Sequence, residues 1–446
     1  MPNFRPPARE HRARVHHSPC NGWPTTALIL LAAFAVGAPV TGQQDPASPG
    51  ALSRADAIQE ALAHHPALLA SREQIEQARA QVVQATALAD PSLSATTLGQ
   101  TKALRVGSRA EVDLALGLTL PFPGRTGLRR SVATADLHSA ELALTQLQQQ
   151  IASQAVEAYD GLLVAMRHAE DLEQSKQFAA DFLDKTRARF AGGTVAKVDV
   201  LKAQVDLAQA QNDLIANQRD TASARATLNR LLGRPGGTPL TTSDALTPPA
   251  DLPALELLEQ LASASRPELR SLTAQQAGAK AASQLARRFW LPDFSLSAGR
   301  NAVQGEPATF TTGLAIGFPI FFWQHQKGEI ATANHREQEL AADLVDQSAQ
   351  VSLDVRTNYA AAATALEQAV FIRDELLPQA HEVYRVAALS YGLGGSSALE
   401  LLDAKRTLLD AENQYAEALG AANDARATLE LAVGAPLPLP VSGAHP

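Results

Sequence analysis

Most of the chain carries apolar or small residues at seven-residue spacing inside segments rich in Ala, Gln, Leu and Glu. The recurring positions are Leu137, Leu144 and Ile151; Ala140 and Leu147; Leu201, Ala208 and Ile215; and Leu402, Leu409 and Ala416. Residues of high helix propensity at this spacing predict long helices that pack as coiled coils. The many alanines allow neighbouring helices to approach closely.

Two shorter stretches alternate with a period of two instead. Between Arg109 and Pro121, one row holds Val112, Leu114, Leu116, Leu118 and Leu120, and the other holds small or polar residues such as Asp113. The stretch 310–318 places Phe310, Thr312, Leu314, Ile316 and Phe318 on one row. This pattern over about ten residues is typical of a transmembrane β-strand. An ordinary half-buried hairpin of a soluble protein would also produce it.

The chain repeats itself once, at an offset of 201 residues. The offset pairs Gly193 with Gly394 and Asp199 with Glu400, and it also aligns proline motifs near the start and end of each copy. We therefore divide the chain into a first repeat at 43–235, a Pro/Thr/Gly-rich linker at 236–253, a second repeat at 254–438 and a tail at 439–446.

Each repeat is predicted to contain the same elements in the same order. They are a helix (66–89 and 267–289), two short strands, a long helix (128–190 and 327–391), a glycine-containing turn, and a return helix (197–232 and 398–433). At about 1.5 Å per residue, the first long helix spans roughly 95 Å. Such a length suits bridging a distance better than enclosing a small active site.

The first 42 residues read as a secretory signal. A basic start is followed by the apolar run 25–40 and by the small residues Ala38 and Gly42. The alternative is a retained anchor helix, but the run is short and Gly37 and Pro39 interrupt it. Cys20 is the chain's one cysteine, so a chain cleaved after the signal has none, which suits an oxidising periplasm.

Composition narrows the function further. With 46% hydrophobic residues the chain can build a large core, and one cysteine rules out a disulfide scaffold. A net charge of −8 argues against a nucleic-acid partner. The phosphate-loop, nucleophile-elbow and His-Glu-x-x-His motifs are absent, and we interpret His64 and His65 as solvated. We expect neither an enzyme nor a bound cofactor or metal.

The strand count requires an oligomer. One chain offers four strands, single-chain barrels begin at about eight, and an open sheet edge cannot face lipid. Three chains would pool twelve strands. Aromatic residues lie at the helix-proximal strand ends, as in the interfacial girdle of a barrel. They are Phe122, Trp290, Phe318 and Trp323.

The order of elements and two turn motifs resemble the TolC family of outer-membrane efflux proteins. The motifs are RFAGGTVAKVDVL at 189–201 and YGLGGSSALELLDA at 391–404. The resemblance implies a mainly α fold with a small β part: a homotrimer with a twelve-stranded outer-membrane barrel and a helical barrel across the periplasm. It implies an exit duct that does no chemistry, set in outer-membrane lipid and served by a periplasmic adaptor and an inner-membrane, proton-driven pump.

The resemblance also assigns roles to residues at the two turns. Glu400 and Asp403 would form acidic rings at the periplasmic entrance, and Asp199 would bond to Tyr391 to hold it closed. Where a family member uses an arginine latch, this chain has Ser396. The hairpin tips would meet the adaptor, and glycines there allow positive φ. The tip residues are Gly192, Gly193, Gly394, Gly395 and Ser396.

The segments HHPALLASREQIEQARA and PFPGRTGLRR most resemble the branch of the family that serves metal-cation efflux. Two other functions stay open at this point. A type I protein secretion duct has the same fold, and a periplasmic coiled-coil rod without a pore would explain the helices and the signal but not the amphipathic strands.

Overall fold

The computed structural model describes residues 51–98, 111–303, 306–318 and 322–437, without the side chains of Leu98 and 322–325. The predicted signal at 1–42 and the tail at 439–446 lie outside these ranges. The described chain is mainly helical with one small sheet, which confirms the predicted fold class.

The predicted order of elements is present in both repeats. The first repeat contains α1 (Arg54–His64), α2 (Pro66–Thr86), β1 (Ser92–Leu98), β2 (Glu111–Leu120), α3 (Arg125–Ala191) and α4 (Lys197–Leu231). The second contains α5 (Leu255–Ser265), α6 (Pro267–Arg287), β3 (Asp293–Val303), β4 (Thr309–Gly317), α7 (Phe322–Phe371), a π-helical turn (Ile372–Leu376), α8 (Leu377–Leu393) and α9 (Ala398–Val433). The short helices α1 and α5 were not predicted from the sequence.

The second long helix differs from its prediction, because it is not one regular helix. Between α7 and α8 the backbone forms a π turn, in which Leu377 N–H donates to Ile372 five residues earlier. Pro378 follows at once and has no N–H to give to an α-helical bond. The π turn therefore accommodates this proline without ending the helix. The matching helix α3 runs through 67 residues without such a turn.

The two repeats pack against each other along α3, which contacts α2 and α4 of its own repeat and α6 and α9 of the other. The approach is close at Gly278 of α6, where an added Cβ would lie 2.8 Å from the Cβ of Ala135 in α3. Helices pressed together this tightly have no space for a larger side chain.

We expect Gly278→Leu to lower the free energy of unfolding by about 1–3 kcal/mol, because the new side chain must push α6 away from α3. Thermal unfolding in detergent measures the change. Gly127→Leu is the control, since nothing lies within 4 Å of a Cβ added at that exposed position. Equal stability of the two variants would contradict the close packing.

A buried charged cluster fastens the linker to the first repeat. The side chain of Asp160 in α3 is fully buried, and its carboxylate accepts a hydrogen bond from Arg54 Nε at 3.1 Å. The backbone N–H of Arg54 donates to the carboxylate of Asp244 in the linker at 2.7 Å. Burial raises the pKa of Asp160, and the bond from the Arg54 backbone lowers the pKa of Asp244. Beside them, the Tyr159 hydroxyl donates to the Leu52 carbonyl at 2.8 Å.

All four strands form one antiparallel sheet in the order β1-β2-β3-β4, so the β2–β3 pair joins the two repeats. Residues directly opposite each other share a face. One face is predominantly apolar, and we call it the apolar face; it carries Leu93, Leu114, Leu116, Leu118, Leu120, Phe294, Leu296, Phe310, Leu314 and Ile316. The other face is small or polar and includes Asp113 opposite Asn301.

Candidate functional site

The two interhelical turns of the chain pack together over one apolar cluster. The turn between α3 and α4 and the turn between α8 and α9 both lie beside it. Its buried members are Phe182, Leu183, Ala203, Leu401 and Leu402. Residues that are about 200 positions apart in sequence are therefore neighbours at the hairpin tips, in agreement with the repeat offset of 201 residues.

Only two of the four predicted turn glycines use a left-handed backbone. Gly193 has φ 74° and Gly394 has φ 79°. Gly192 caps α3 with φ −80°, and Gly395 is not among the positive-φ residues, so these two do not use the backbone freedom that glycine allows. In both turns one left-handed residue is enough to end the incoming helix.

Arg189, which was not predicted as a site residue, makes a contact between the two tips. Its guanidinium carbon lies 4.4 Å from the centroid of the Tyr391 ring, at the distance of a cation–π interaction. The Tyr391 ring also lies beside Phe182, with ring centroids 5.7 Å apart. The Tyr391 hydroxyl is buried and has no hydrogen-bond partner in the described part of this chain.

The predicted hydrogen bond between Asp199 and Tyr391 is therefore not formed within the described chain. Asp199 instead caps its own helix, because its carboxylate accepts the Ala196 N–H at 3.2 Å. A carboxylate in the first turn of α4 also interacts favourably with the positive end of that helix.

Glu400 and Asp403 both lie exposed in the first turns of α9. Glu400 forms a capping box with Ser397: its carboxylate accepts the Ser397 N–H and its own N–H donates to the Ser397 hydroxyl, both at 3.3 Å. Ser396 donates to the Ala387 carbonyl at 3.5 Å, so the position of the missing arginine is occupied by a weak neutral contact.

Two further contacts hold the helices together behind the tips. Arg406 of α9 pairs with Asp206 of α4 at 2.9 Å. Lys405 of α9 lies 5.5 Å from the ring centroid of Tyr384 in α8, whose pKa burial raises. Helix α9 thus contacts both α4 and α8 through its basic side chains, as α3 contacts α8 through Arg189.

The predicted interfacial aromatics lie where the strands meet the helices. Phe122 stacks on Phe294 with ring centroids 6.1 Å apart, and Trp290 and Phe318 are 55% and 65% exposed. Arg125 pairs with Asp293 at 2.7 Å beneath them. The side chain of Trp323 lies outside the described residues.

Within the described ranges, no helix is both long and apolar enough to span a bilayer, and no group of three or more His, Cys, Asp or Glu side chains is placed to hold a metal ion. His65 is the N-cap of α2, where its Nδ1 accepts the Ala67 N–H at 3.3 Å.

The described chain consists of two tandem repeats, each of which contributes one hairpin to a single four-stranded sheet. The model of the family described as "Outer membrane efflux protein" matches residues 57–234 and 258–435, once in each repeat. The chain belongs to this family, which confirms the TolC-family resemblance and places the protein in the outer membrane.

Individual relatives agree with this family. The cobalt-zinc-cadmium resistance protein CzcC of Cupriavidus metallidurans is 25% identical over 378 residues, which are 82% of this chain and 86% of the relative. The crystal structure of CusC superposes with a TM-score of 0.72 at 19% identity, covering 86% of this chain and 92% of that one. The Campylobacter jejuni CmeC channel gives 0.73 at 16% identity, with 87% and 86% covered.

Proposed function

We propose that the protein is the exit duct of a tripartite efflux system. In this role a homotrimer passes substrates from a periplasmic adaptor and a proton-driven inner-membrane pump, through a periplasmic helical barrel, to the cell exterior. The observation that carries the proposal is the open four-stranded sheet, because lipid does not tolerate its unpaired β1 and β4 edges. Pairing β4 of one copy with β1 of the next removes every edge.

The outer surface of α4 also supports a homotrimer. Its buried face, centred on Ala203 and Ala210, packs within the chain. A second stripe on the opposite side stays exposed at alternating three- and four-residue spacing, and its large members are Val198, Leu201, Val205 and Ile215. Leu201 and Ile215, which are predicted heptad positions, therefore stay exposed within one copy. Coiled-coil packing against another copy would cover them.

We expect Val205→Glu to convert the trimer into monomers, since it places a charge in this stripe, where Val205 is 68% exposed in the single chain. Sedimentation in detergent measures the loss. The control is Gln204→Glu, which adds the same charge about 100° around the helix. A trimer that survives Val205→Glu would show that this stripe is not between copies.

The acidic residues of α9 suit a cation-selective entrance. In a trimer, three copies each of Glu400 and Asp403 near the axis would make a negative constriction. Metal cations are the cargo we infer, because the curated relative named above is a cobalt-zinc-cadmium resistance protein. A secretion duct for proteins would share the fold but would be served by a different pump.

Single-channel recording in planar bilayers tests the proposal, with reversal potentials taken in asymmetric salt. We expect discrete, cation-selective openings whose selectivity falls in the Glu400→Ala, Asp403→Ala double variant. Openings of unchanged selectivity in that variant would refute the acidic entrance and leave the duct. Folded protein that stays in solution without detergent and never conducts would refute the duct in favour of a periplasmic rod.

A further inference from the structure

Among the described residues, the apolar face of the sheet contains one basic side chain. Arg300 of β3 lies directly opposite Leu114 of β2 on one side and Phe310 of β4 on the other. Residues two positions away along β3, Ala298 and Ala302, share this face. Leu114 and Phe310 are 45% and 80% exposed, and Arg300 is itself exposed. A permanently charged guanidinium therefore lies in the row that would face lipid.

No described residue binds the Arg300 guanidinium. Asp113, Asn301 and Glu111 are near in sequence or register, but all three belong to the opposite face, where Asn301 donates to Glu111. The β-strand pleat separates the two faces, so these acceptors cannot reach around the backbone. The described part of the chain therefore leaves this charge free to bind an acceptor outside the protein.

The height of Arg300 on the sheet identifies where that acceptor lies. Seven residue steps separate it from Asp293 at the helix-proximal end, which is about 23 Å along the strand. Because strands of such barrels tilt by about 40°, this length corresponds to a height of about 18 Å along the membrane normal. The apolar band of the barrel is roughly 25 Å high. An extended arginine side chain, about 7 Å long, covers the difference and brings its head to the far headgroup layer.

We propose that Arg300 binds a phosphate group of a phosphorylated lipid in the outer leaflet, with one such site on each copy. The planar guanidinium can donate two parallel hydrogen bonds to phosphate oxygens, and the apolar neighbours on both adjoining strands can cover the acyl chains. The inference rests on the proposed function, because it takes the apolar face as the lipid-facing side of the barrel.

Native mass spectrometry of trimers in phosphatidylcholine nanodiscs tests the site, with diphosphorylated lipid A as the probe. We expect Arg300→Ala to retain at least threefold less lipid A than the unmodified protein, and Arg300→Lys to retain an intermediate amount. Asn301→Ala is the matched control, because the next residue faces the lumen side. Dephosphorylated lipid A should bind all four proteins equally weakly.

Equal retention by the unmodified protein and Arg300→Ala would overturn the inference. Displacement of lipid A by millimolar inorganic phosphate would also overturn it, because the site would then prefer a free anion to a lipid. Conductance of the same preparations separates the two proposals. Trimers that conduct but show no Arg300 effect refute the lipid site alone, whereas protein that never enters a bilayer refutes the exit duct.

Discussion

Replacing Arg189 with alanine should raise the open probability of the reconstituted channel at least tenfold. The side chain lies over Tyr391 and holds the α3 end of one hairpin against the α8 end of the other. A cation–π contact contributes about 0.5–2 kcal/mol, and a trimer contains it three times. Tenfold in an equilibrium constant is about 1.4 kcal/mol, so the combined loss is large enough. Single-channel recording at neutral pH measures the effect.

The matched control is Arg187→Ala, two residues earlier on the same helix. Arg187 is 53% exposed and pairs only with Asp184 one turn away, at 3.4 Å, so its loss should leave gating unchanged. Arg189→Lys keeps the charge but loses the planar stacking, and it should open the channel less than alanine does. Equal open probabilities for both alanine variants would show that the Arg189–Tyr391 contact does not hold the entrance.

Asp424→Asn should stabilise the protein at pH 8 and have little effect at pH 4. Burial, followed by the charge of Asp160 and then that of Glu157, raises the pKa of Asp424 to about 7, against the lowering effect of Arg54. Asp220 and Arg230 of α4 line the same cavity. The folded state binds this proton more tightly than the unfolded state, so stability is greatest at low pH and falls as pH rises through about 7.

Melting temperatures of the unmodified protein and the Asn variant, measured from pH 4 to pH 8.5, check this prediction. We expect the difference in melting temperature to grow to several degrees between about pH 4 and pH 7 and to stay constant above pH 7, since about 1 kcal/mol corresponds to roughly 2–4 °C in a sizeable domain. Asp410→Asn, an exposed position on the same helix, is the control. A difference between the proteins that does not change with pH would contradict the raised pKa.

Periodicity predicted the long elements well. The return helix α9 has the predicted bounds, and α3 and α4 end within three residues of theirs, because propensity and heptad spacing act over many turns. Helix propensity and heptad spacing did not predict the π turn. Pro378 lies inside a segment whose propensity is otherwise strongly helical, and the backbone adapts to the proline without ending the helix.

The candidate site was predicted in its location but not in its contacts. The two turn motifs indicated which residues would meet at the hairpin tips. They did not indicate that Asp199 would cap α4 or that the Arg189 guanidinium would lie over the ring of Tyr391. These contacts depend on side-chain geometry between the two repeats. Local capping competes with any longer-range bond for the same carboxylate.

The position of the repeat junction inside the sheet constrains how the protein is made. A first repeat that folded before the second would present the apolar surface of its β1–β2 hairpin and the whole β2 edge that pairs with β3. Exposed edges of this kind promote aggregation. The first half of the chain would therefore stay prone to aggregation until β3 covers the β2 edge, and in the proposed trimer until neighbouring copies pair with β1 and β4.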